Sequence, residues 1–407
     1  MRIGHVGLET VPTADGTFIG GLVKNLVAIG ASQVARGHDV QIFTSDIGNV
    51  FSSDRVTPFG RIERVGTAGP YGSMSFGASF VAAAASHIRR AHRKAPFDVI
   101  HVHSAYALFG AIARFLRNIQ VPKVFSLYSP NFGFIPGHDC NGNSPFLRRR
   151  LARSSLGAFD ATIVPSRSLM SGVIRLGIDA KKVKQVVPAL GAPMFSSLPS
   201  REEARRQLGL PAEARVLLYL GNYSNWKGID ELLLALPRVR HAFPATILLA
   251  AWGERYRWAG NRQKSVLARI DRLGLRSAIY QVGIVRDVRI LLRASDLLVS
   301  PFWCTCKVLD YPLSILEAMA CERPVVTTGV GGIPELLDGG DRGILVEPRS
   351  VPRLTEAIEM LLDAPGRASE LGLRGAAWVR ERCPPELAAR ALETIYTDVA
   401  PETSIGG

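Results

Sequence analysis

The chain has 407 residues, beyond the roughly 100–200 of one domain, so two or three domains with sizeable cores are expected. Hydrophobic residues at 47% and charged residues at 21% exclude a disordered chain, and 39 Gly and 25 Pro scattered without a repeat exclude collagen-like or low-complexity structure. The net charge of +14 is unevenly shared: residues 1–190 hold 22 Lys/Arg against 10 Asp/Glu, whereas residues 191–407 hold 27 against 25. A basic surplus in one half points to a polyanionic partner of that half: a phosphorylated substrate, nucleic acid or an anionic lipid surface.

In chain order, residues 2–7 read as a strand, 21–35 as a helix with Leu22, Leu26 and Ile29 on one face, and 39–43, 97–102, 121–127 and 161–165 as further short strands. Between them lie an Ala-rich helix over 79–94 that ends in Arg89, Arg90, Arg93 and Lys94, and a basic helix over 145–152 that carries Arg148, Arg149 and Arg150. Each basic helix is either a solvated face or a surface for an anionic membrane or acceptor. For the first, Phe80, Val81 and Ile88 would supply the apolar side.

The Pro- and Ser-rich stretch 188–200 reads as a linker. Beyond it the same alternation returns: strands at 216–220, 246–250, 279–281, 297–300 and 324–327, and helices at 228–236, 288–294 and 313–320. A last helix over 385–399 follows the Cys383-Pro384-Pro385 break and is expected to cross back to the first domain. The fold class is therefore α/β with two doubly wound domains, 1–190 and 191–384, whose ligands bind outside the carboxyl ends of the strands.

Residues 1–6 lead straight into a strand without an apolar leader, and no uncharged apolar run reaches the ~18 residues that span a bilayer. A cytoplasmic location is expected, with peripheral contact at the membrane face. The five cysteines (Cys140, Cys304, Cys306, Cys321, Cys383) are an odd set without zinc-ligand spacing, which argues against a disulfide framework and a structural metal.

Three stretches carry chemistry. Gly20-Gly21 at a helix start allows an anion to approach exposed amides, or else is a plain tight turn. Lys227, in the turn Asn222-Tyr223-Ser224-Asn225-Trp226-Lys227-Gly228, lies before a helix whose positive dipole end disfavours a cation, so it suits a site that receives phosphate; the alternative is a solvated lysine. Glu317 stands in an otherwise apolar helix, where a carboxylate needs hydrogen-bond donors such as a ribose diol or a neighbouring loop, and the helix start at Pro312, Leu313 and Ser314 can dock a diphosphate or sugar hydroxyl. His101 and His103 alternate along a strand end and share one face, with a structural or a catalytic role open.

The order and spacing of Gly20-Gly21, Arg36-Gly37-His38-Asp39-Val40, Asp98-Val99-Ile100-His101-Val102-His103, Lys227-Gly228, Leu316-Glu317-Ala318-Met319-Ala320, Pro324-Val325-Val326 and Gly331-Gly332-Ile333-Pro334-Glu335 resemble the retaining nucleotide-sugar glycosyltransferases of the GT-B fold, family four, glycosyl transferases group 1. The resemblance covers nearly the whole chain. It implies two facing Rossmann-like domains with an interdomain cleft, the first for the acceptor, with the helix 385–407 packed back on it, and the second for the donor. It implies that Gly20 and Gly21 approach the donor phosphate, that Lys227 binds the diphosphate, and that Glu317 holds the ribose hydroxyls. Amides at Leu313 and Ser314 would meet the diphosphate or the sugar, and Gly283-Ile284-Val285 the nucleobase. No metal or cofactor is implied; a UDP- or GDP-sugar is the donor substrate.

Three positions depart from the family pattern: Leu309 replaces a second glutamate, with Asp310 one residue displaced; Asn222 replaces an arginine; and Tyr128 replaces a histidine. Asp310, His103 and Tyr128 are thus the catalytic candidates, and Lys307, Arg286 or Arg255 the candidates to replace the arginine. The expected activity is hexose transfer to a lipid-linked or glycan acceptor, with a non-catalytic sugar-nucleotide-binding subunit as the alternative. Nucleic-acid binding is not expected, since no reader module is present, nor is a dinucleotide oxidoreductase, since its glycine fingerprint is absent.

Overall fold

The computed structural model describes residues 1–8, 20–45, 55–69, 73–130, 135–136, 146–252, 260–283, 285, 287–306 and 308–400. The chain divides into two compact units. One comprises Met1–Ala192, Cys306–Asp310 and Cys383–Gly407; the other comprises Pro193–Thr305 and Tyr311–Arg382. The segment Cys306–Asp310, assigned from sequence to the second domain, thus belongs to the first unit: the backbone N–H of Asp310 donates to the Tyr128 carbonyl at 2.7 Å, and the Ser166 hydroxyl donates to its carboxylate.

The first unit is built on strands β1 (Arg2–Gly7), β2 (Asp39–Ser45), β3 (Arg55–Thr57), β4 (Gly60–Val65), β5 (Val99–Ser104), β6 (Lys123–Leu127), β7 (Ala161–Val164) and β8 (Val183–Gln185). They form one sheet in the order β3-β4-β2-β1-β5-β6-β7-β8, parallel throughout except for the β3–β4 pair. Its helices are α1 (Gly21–Ala35), α2 (Met74–Lys94), α3 (Ile112–Phe115), α4 (Phe146–Leu156) and α5 (Arg167–Arg175). Ser73 caps α2 through the Phe76 amide, and Ser166 caps α5 through the Leu169 amide, each satisfying a donor that a helix start leaves open.

The second unit carries α6 (Arg201–Gln207), β9 (Arg215–Gly221), α7 (Ile229–Ala242), β10 (Thr246–Trp252), α8 (Gly260–Arg272), β11 (Ile279–Val282), α9 (Val288–Ala294), β12 (Leu297–Ser300), α10 (Leu313–Ala320), β13 (Val325–Thr328), α11 (Ile333–Leu336), β14 (Ile344–Val346), α12 (Val351–Asp363) and α13 (Pro365–Arg382). Its all-parallel sheet runs β11-β10-β9-β12-β13-β14. Strand order reverses between β1 and β5 in the first unit and between β9 and β12 in the second. These are the switch points where such sheets open a crevice at their carboxyl ends.

The chain ends in α14 (Pro385–Asp398), which belongs to the first unit. Its Ala388, Leu392, Ile395 and Tyr396 pack with Ile3, Ile29, Val99, Val124 and Ile163, and Glu393 takes both arms of the Arg36 guanidinium at 2.7 and 2.6 Å. Under α1 and α14 the sheet carries a buried polar network instead of a plain apolar layer. His5 Nε2 meets Gln33 Oε1 at 2.7 Å, His5 Nδ1 meets His103 Nε2 at 2.8 Å, and His103 Nδ1 meets the Tyr128 hydroxyl at 2.9 Å. His101 bonds Tyr396 at 2.6 Å and Ser126 at 2.8 Å.

Two expectations are corrected here. Phe80, Val81 and Ile88 of α2 are buried in the core of the first unit, so they give that helix no apolar outer face. Cys306 is disulfide-bonded, while Cys304, Cys321 and Cys383 are not. An odd cysteine count excludes complete pairing but not a single bridge. Among the described residues no helix is long and apolar enough to cross a membrane.

Burial sets the charge state of the network. It disfavours imidazolium, taking His5 from 6.5 to about 4 and His101 and His103 well below 6.5, the last two also through repulsion from neighbouring histidines. The neutral forms belong to the folded state, so the unfolded chain binds more protons as pH falls from 6.5 towards 4, and stability declines across that window. The expected loss from His5 alone is about 3 kcal/mol, measured as a falling urea midpoint of the first unit. Tyr396→Phe, which leaves a buried His101 nitrogen unpaired, is expected to cost about 1–3 kcal/mol at neutral pH in the same experiment.

Candidate functional site

In the second unit the switch point gathers the loops after β9 and β12. β9 runs into Asn222, whose backbone carbonyl accepts from the Tyr219 hydroxyl at 2.8 Å and whose side-chain oxygen accepts from the Ser224 amide at 3.1 Å. A single turn over Asn225–Lys227 follows. Gly228 then reverses the chain with φ 71° and ψ 26°, and α7 begins. The turn places the half-buried Lys227 with its Nζ 5.2 Å above the Phe302 ring, on the loop after β12. Burial lowers the lysine from 10.5 to about 8, and the Glu317 carboxylate pulls it partly back up.

Glu317 is 6% exposed on α10, between Leu316 and Ala318, both fully buried. The helix starts at Leu313 with Pro312 as its cap, and Pro312 supplies no side-chain hydrogen bond to the first-turn amides. The hydroxyl of Ser314 is buried without a hydrogen-bond partner, as is that of Ser300 at the carboxyl end of β12. Lys227, Glu317, Pro312, Leu313 and Ser314 all belong to this unit, with Lys227 and Glu317 close enough to interact. The combination of an ammonium, first-turn amides and an unpaired hydroxyl suits an anion, and the adjacent carboxylate suits sugar hydroxyls.

Asn222, exposed, has its backbone and side-chain oxygens engaged within its own turn. Val285 is half-buried just beyond β11, while Ile284, Arg286, Arg255 and Lys307 lie outside the described residues. In the first unit, Gly20 caps α1 with φ 100° and is exposed, so a side-chain-free backbone stands at that helix start; Gly21 is the first helical residue. The rest of that loop, 9–19, is outside the described residues.

The three catalytic candidates lie in the interior of the first unit. His103 is 1% exposed with both ring nitrogens bonded, to His5 and to Tyr128. The Tyr128 hydroxyl bonds His103 and accepts from Asn25 Nδ2 at 2.8 Å, and burial holds its proton more tightly than in an ordinary tyrosine. Asp310 is fully buried against Ser166. As placed, these groups order one another and the backbone around Tyr128. Alternation along β5 showed that His101 and His103 share a face; that the face lies beneath two helices is a tertiary fact.

Ligand atoms of His5, His101 and His103 lie within 4.8 Å of one another, the kind of cluster that can hold a metal. Here each ring nitrogen already has a partner, and the donor order closes without an ion. Asn25 accepts the Ala189 amide and donates to Tyr128. Tyr128 can then donate to His103, His103 to His5, and His5 to Gln33.

The basic residues separate into two surfaces. Arg89 donates to the Phe115 carbonyl at 2.8 Å, and Arg90, Arg93 and Lys94 are exposed at the end of α2. On α4, Arg148 and Arg150 are exposed and Arg149 is half-buried; beside them Phe146, Leu147 and Leu151 are 79%, 64% and 47% exposed.

Residues 20–189 match the family described as glycosyl transferase 4-like domain, and residues 214–364 match glycosyl transferases group 1. The N-acetyl-alpha-D-glucosaminyl L-malate synthase of Bacillus anthracis is 23% identical, over 97% of each chain. The D-inositol 3-phosphate glycosyltransferase 1 of Catenulispora acidiphila is 28% identical, over 91% of this chain and 89% of its own. Among solved structures, sucrose-phosphate synthase from Thermosynechococcus elongatus superposes with a TM-score of 0.84 at 23% identity, covering 98% of both chains. Anabaena HepE in complex with UDP-glucose superposes with a TM-score of 0.75 at 20% identity, over 98% of this chain and 100% of its own. Two parallel-sheet units, matched in turn by a glycosyl transferase 4-like model and a group 1 model, make this chain a member of the group 1 glycosyltransferases, an enzyme of the GT-B fold.

Proposed function

We propose that this glycosyltransferase takes a hexose from a UDP- or GDP-sugar held by the second unit and transfers it, with retention of configuration and without a metal, to a lipid-linked or glycan acceptor held by the first. The observation that carries the donor assignment is Lys227 within electrostatic reach of Glu317 on α10, a helix whose start has no side-chain cap and whose Ser314 hydroxyl is buried without a hydrogen-bond partner. Lys227 and the α10 amides would take the diphosphate, and Glu317 the ribose hydroxyls. Fixed positive charge and a helix dipole then stabilise the leaving nucleoside diphosphate where a metal ion would otherwise stand. A neighbour of the same fold was solved with UDP-glucose, which supports this class of donor.

For the transfer step we favour same-face substitution. The bond from the anomeric carbon to the diphosphate oxygen breaks, the acceptor oxygen bonds to that carbon on the same face, and the acceptor proton passes to the departing phosphate oxygen. Asp310 is a poor candidate for a nucleophile in this scheme, since its carboxylate is buried and accepts the Ser166 hydroxyl.

An acceptor bearing negative charge fits the basic first unit, and the names of three similar proteins carry malate, inositol 3-phosphate and sucrose-phosphate. For a lipid-linked acceptor, α4 has what α2 lacks: exposed Phe146, Leu147 and Leu151 interleaved with arginines, able to enter an interface while the guanidinium groups meet anionic headgroups.

Calorimetric titration is expected to show one of UDP or GDP binding, with Lys227→Ala and Glu317→Ala each weakening it about tenfold or more. Affinity in the wild type is expected to fall as pH rises through about 8, because the charged lysine is the binding form. Turnover of the matching sugar nucleotide should survive a chelator; its loss would remove the metal-free reading. In vesicle flotation, Phe146→Ser with Leu147→Ser should reduce binding to anionic membranes about tenfold, and equal binding of the wild type to neutral and anionic vesicles would count against membrane docking.

A further inference from the structure

Lys227 has a long, freely rotating side chain, yet its ammonium is drawn out of water to lie over Phe302. Two sets of contacts hold it there. Gly228 presses its backbone on the loop after β12, so closely that a Cβ would stand 1.9 Å from the Pro301 carbonyl oxygen. Next to Phe302, Trp303 ties the same loop to the turn that carries the lysine: its backbone N–H donates to the Trp226 carbonyl at 3.1 Å, and the two indoles meet edge to face at 6.0 Å. The indole Nε1–H of Trp303 then donates to Glu231 Oε1 on α7 at 2.8 Å. The Arg349 guanidinium covers its ring at 4.3 Å, from a backbone φ of 63° that a non-glycine residue seldom adopts.

Glu231 is the unusual member. Helix α7 opens with two acids, and the first, Asp230, does what an acid does at a helix start, pairing with Arg262 and Arg269. Glu231 instead is only 8% exposed, and its second oxygen has no hydrogen-bond partner. Burial pushes its carboxyl up from 4.5. Helix stability gives no reason to bury it, since an exposed acid would serve the dipole equally well.

We propose that Trp303 and Glu231 are positioning residues for donor binding, a brace between the loops after β9 and β12 that fixes the turn bearing Lys227 and so aims its ammonium at the donor diphosphate. The inference rests on the donor reading above. Neither residue touches the donor in this scheme; both act through the lysine.

The test is nucleotide titration of the full chain from about pH 6 to about pH 10, using whichever of UDP or GDP the wild type binds. Trp303→Phe keeps an aromatic ring but removes the indole N–H together with the rest of the five-membered ring; Glu231→Leu removes the acceptor, and Glu231→Gln keeps an oxygen that can accept. Trp303→Phe and Glu231→Leu are expected to bind about tenfold more weakly, with the alkaline fall in affinity displaced from about 8 towards the ordinary lysine value as the ammonium returns to water. Glu231→Gln is expected to keep both the affinity and the position of the fall. A residue of merely structural importance would lower the melting temperature and leave the fall where it is, so an unmoved fall in Trp303→Phe and Glu231→Leu overturns the proposal. Should Trp303→Phe fail to fold, the contrast between Glu231→Leu and Glu231→Gln decides by the same measurement. Wild-type protein that binds neither nucleotide overturns the donor reading itself, a failure distinct from that of the brace.

Discussion

The close approach of Gly228 to the Pro301 carbonyl governs much of the second unit's active edge. A parallel sheet that reverses its winding between β9 and β12 brings the loops after those strands side by side, and the shared edge is useful only if both loops are held in register. A residue without a side chain, in a left-handed conformation, lets the two backbones touch. From that contact follow the direction of Lys227, the seat of Phe302 beneath it and the reach of Trp303 across to α7.

The two units handle charge in opposite ways. In the first, the buried histidines and tyrosines of the polar network are kept neutral: three histidines lose their protons and Tyr128 and Tyr396 keep theirs, chiefly through burial. The excess of arginine and lysine is left to the surface, where it sets the field met by an incoming anion. The second holds ionic contacts in its interior, such as Arg205 at 3% exposure against Asp296, and one lysine held partly out of water. A preorganised cation of that kind needs little rearrangement when negative charge develops on a departing diphosphate.

Much of this was legible in the sequence. Short β-branched runs alternating with helical periods pointed to two doubly wound sheets, and Lys227 ahead of a helix and the acid within an apolar helix were the residues singled out for the candidate donor site. Other features left weaker traces. Helix α6 lies between the linker 188–200 and the strand read at 216–220 and was not anticipated, although Ser200 followed by Glu203 is a helix-start signal, and Ser200 does cap it. The edge strands β3 and β8 have three residues each, too few for periodicity to register. The interior position of His103 and Tyr128 could not be read at all, since it depends on α1 and α14 meeting over the same strands from opposite ends of the chain. Nor does residue type announce a brace: Trp303 and Glu231 are separated by 72 positions and become partners only through the order of the strands.

The first unit is assembled from three separate stretches of chain, the last of which brings Tyr396 to His101 and Glu393 to Arg36. During synthesis the second unit can therefore close while the first still waits for its covering helix, its histidines and the apolar flank of α1 open to water. The part of the protein made first thus depends on a late stretch of the chain for its covering helix. For the same reason a single cut in the gene does not separate the units: a fragment ending near residue 192 keeps the whole eight-stranded sheet but lacks the lid over its polar heart.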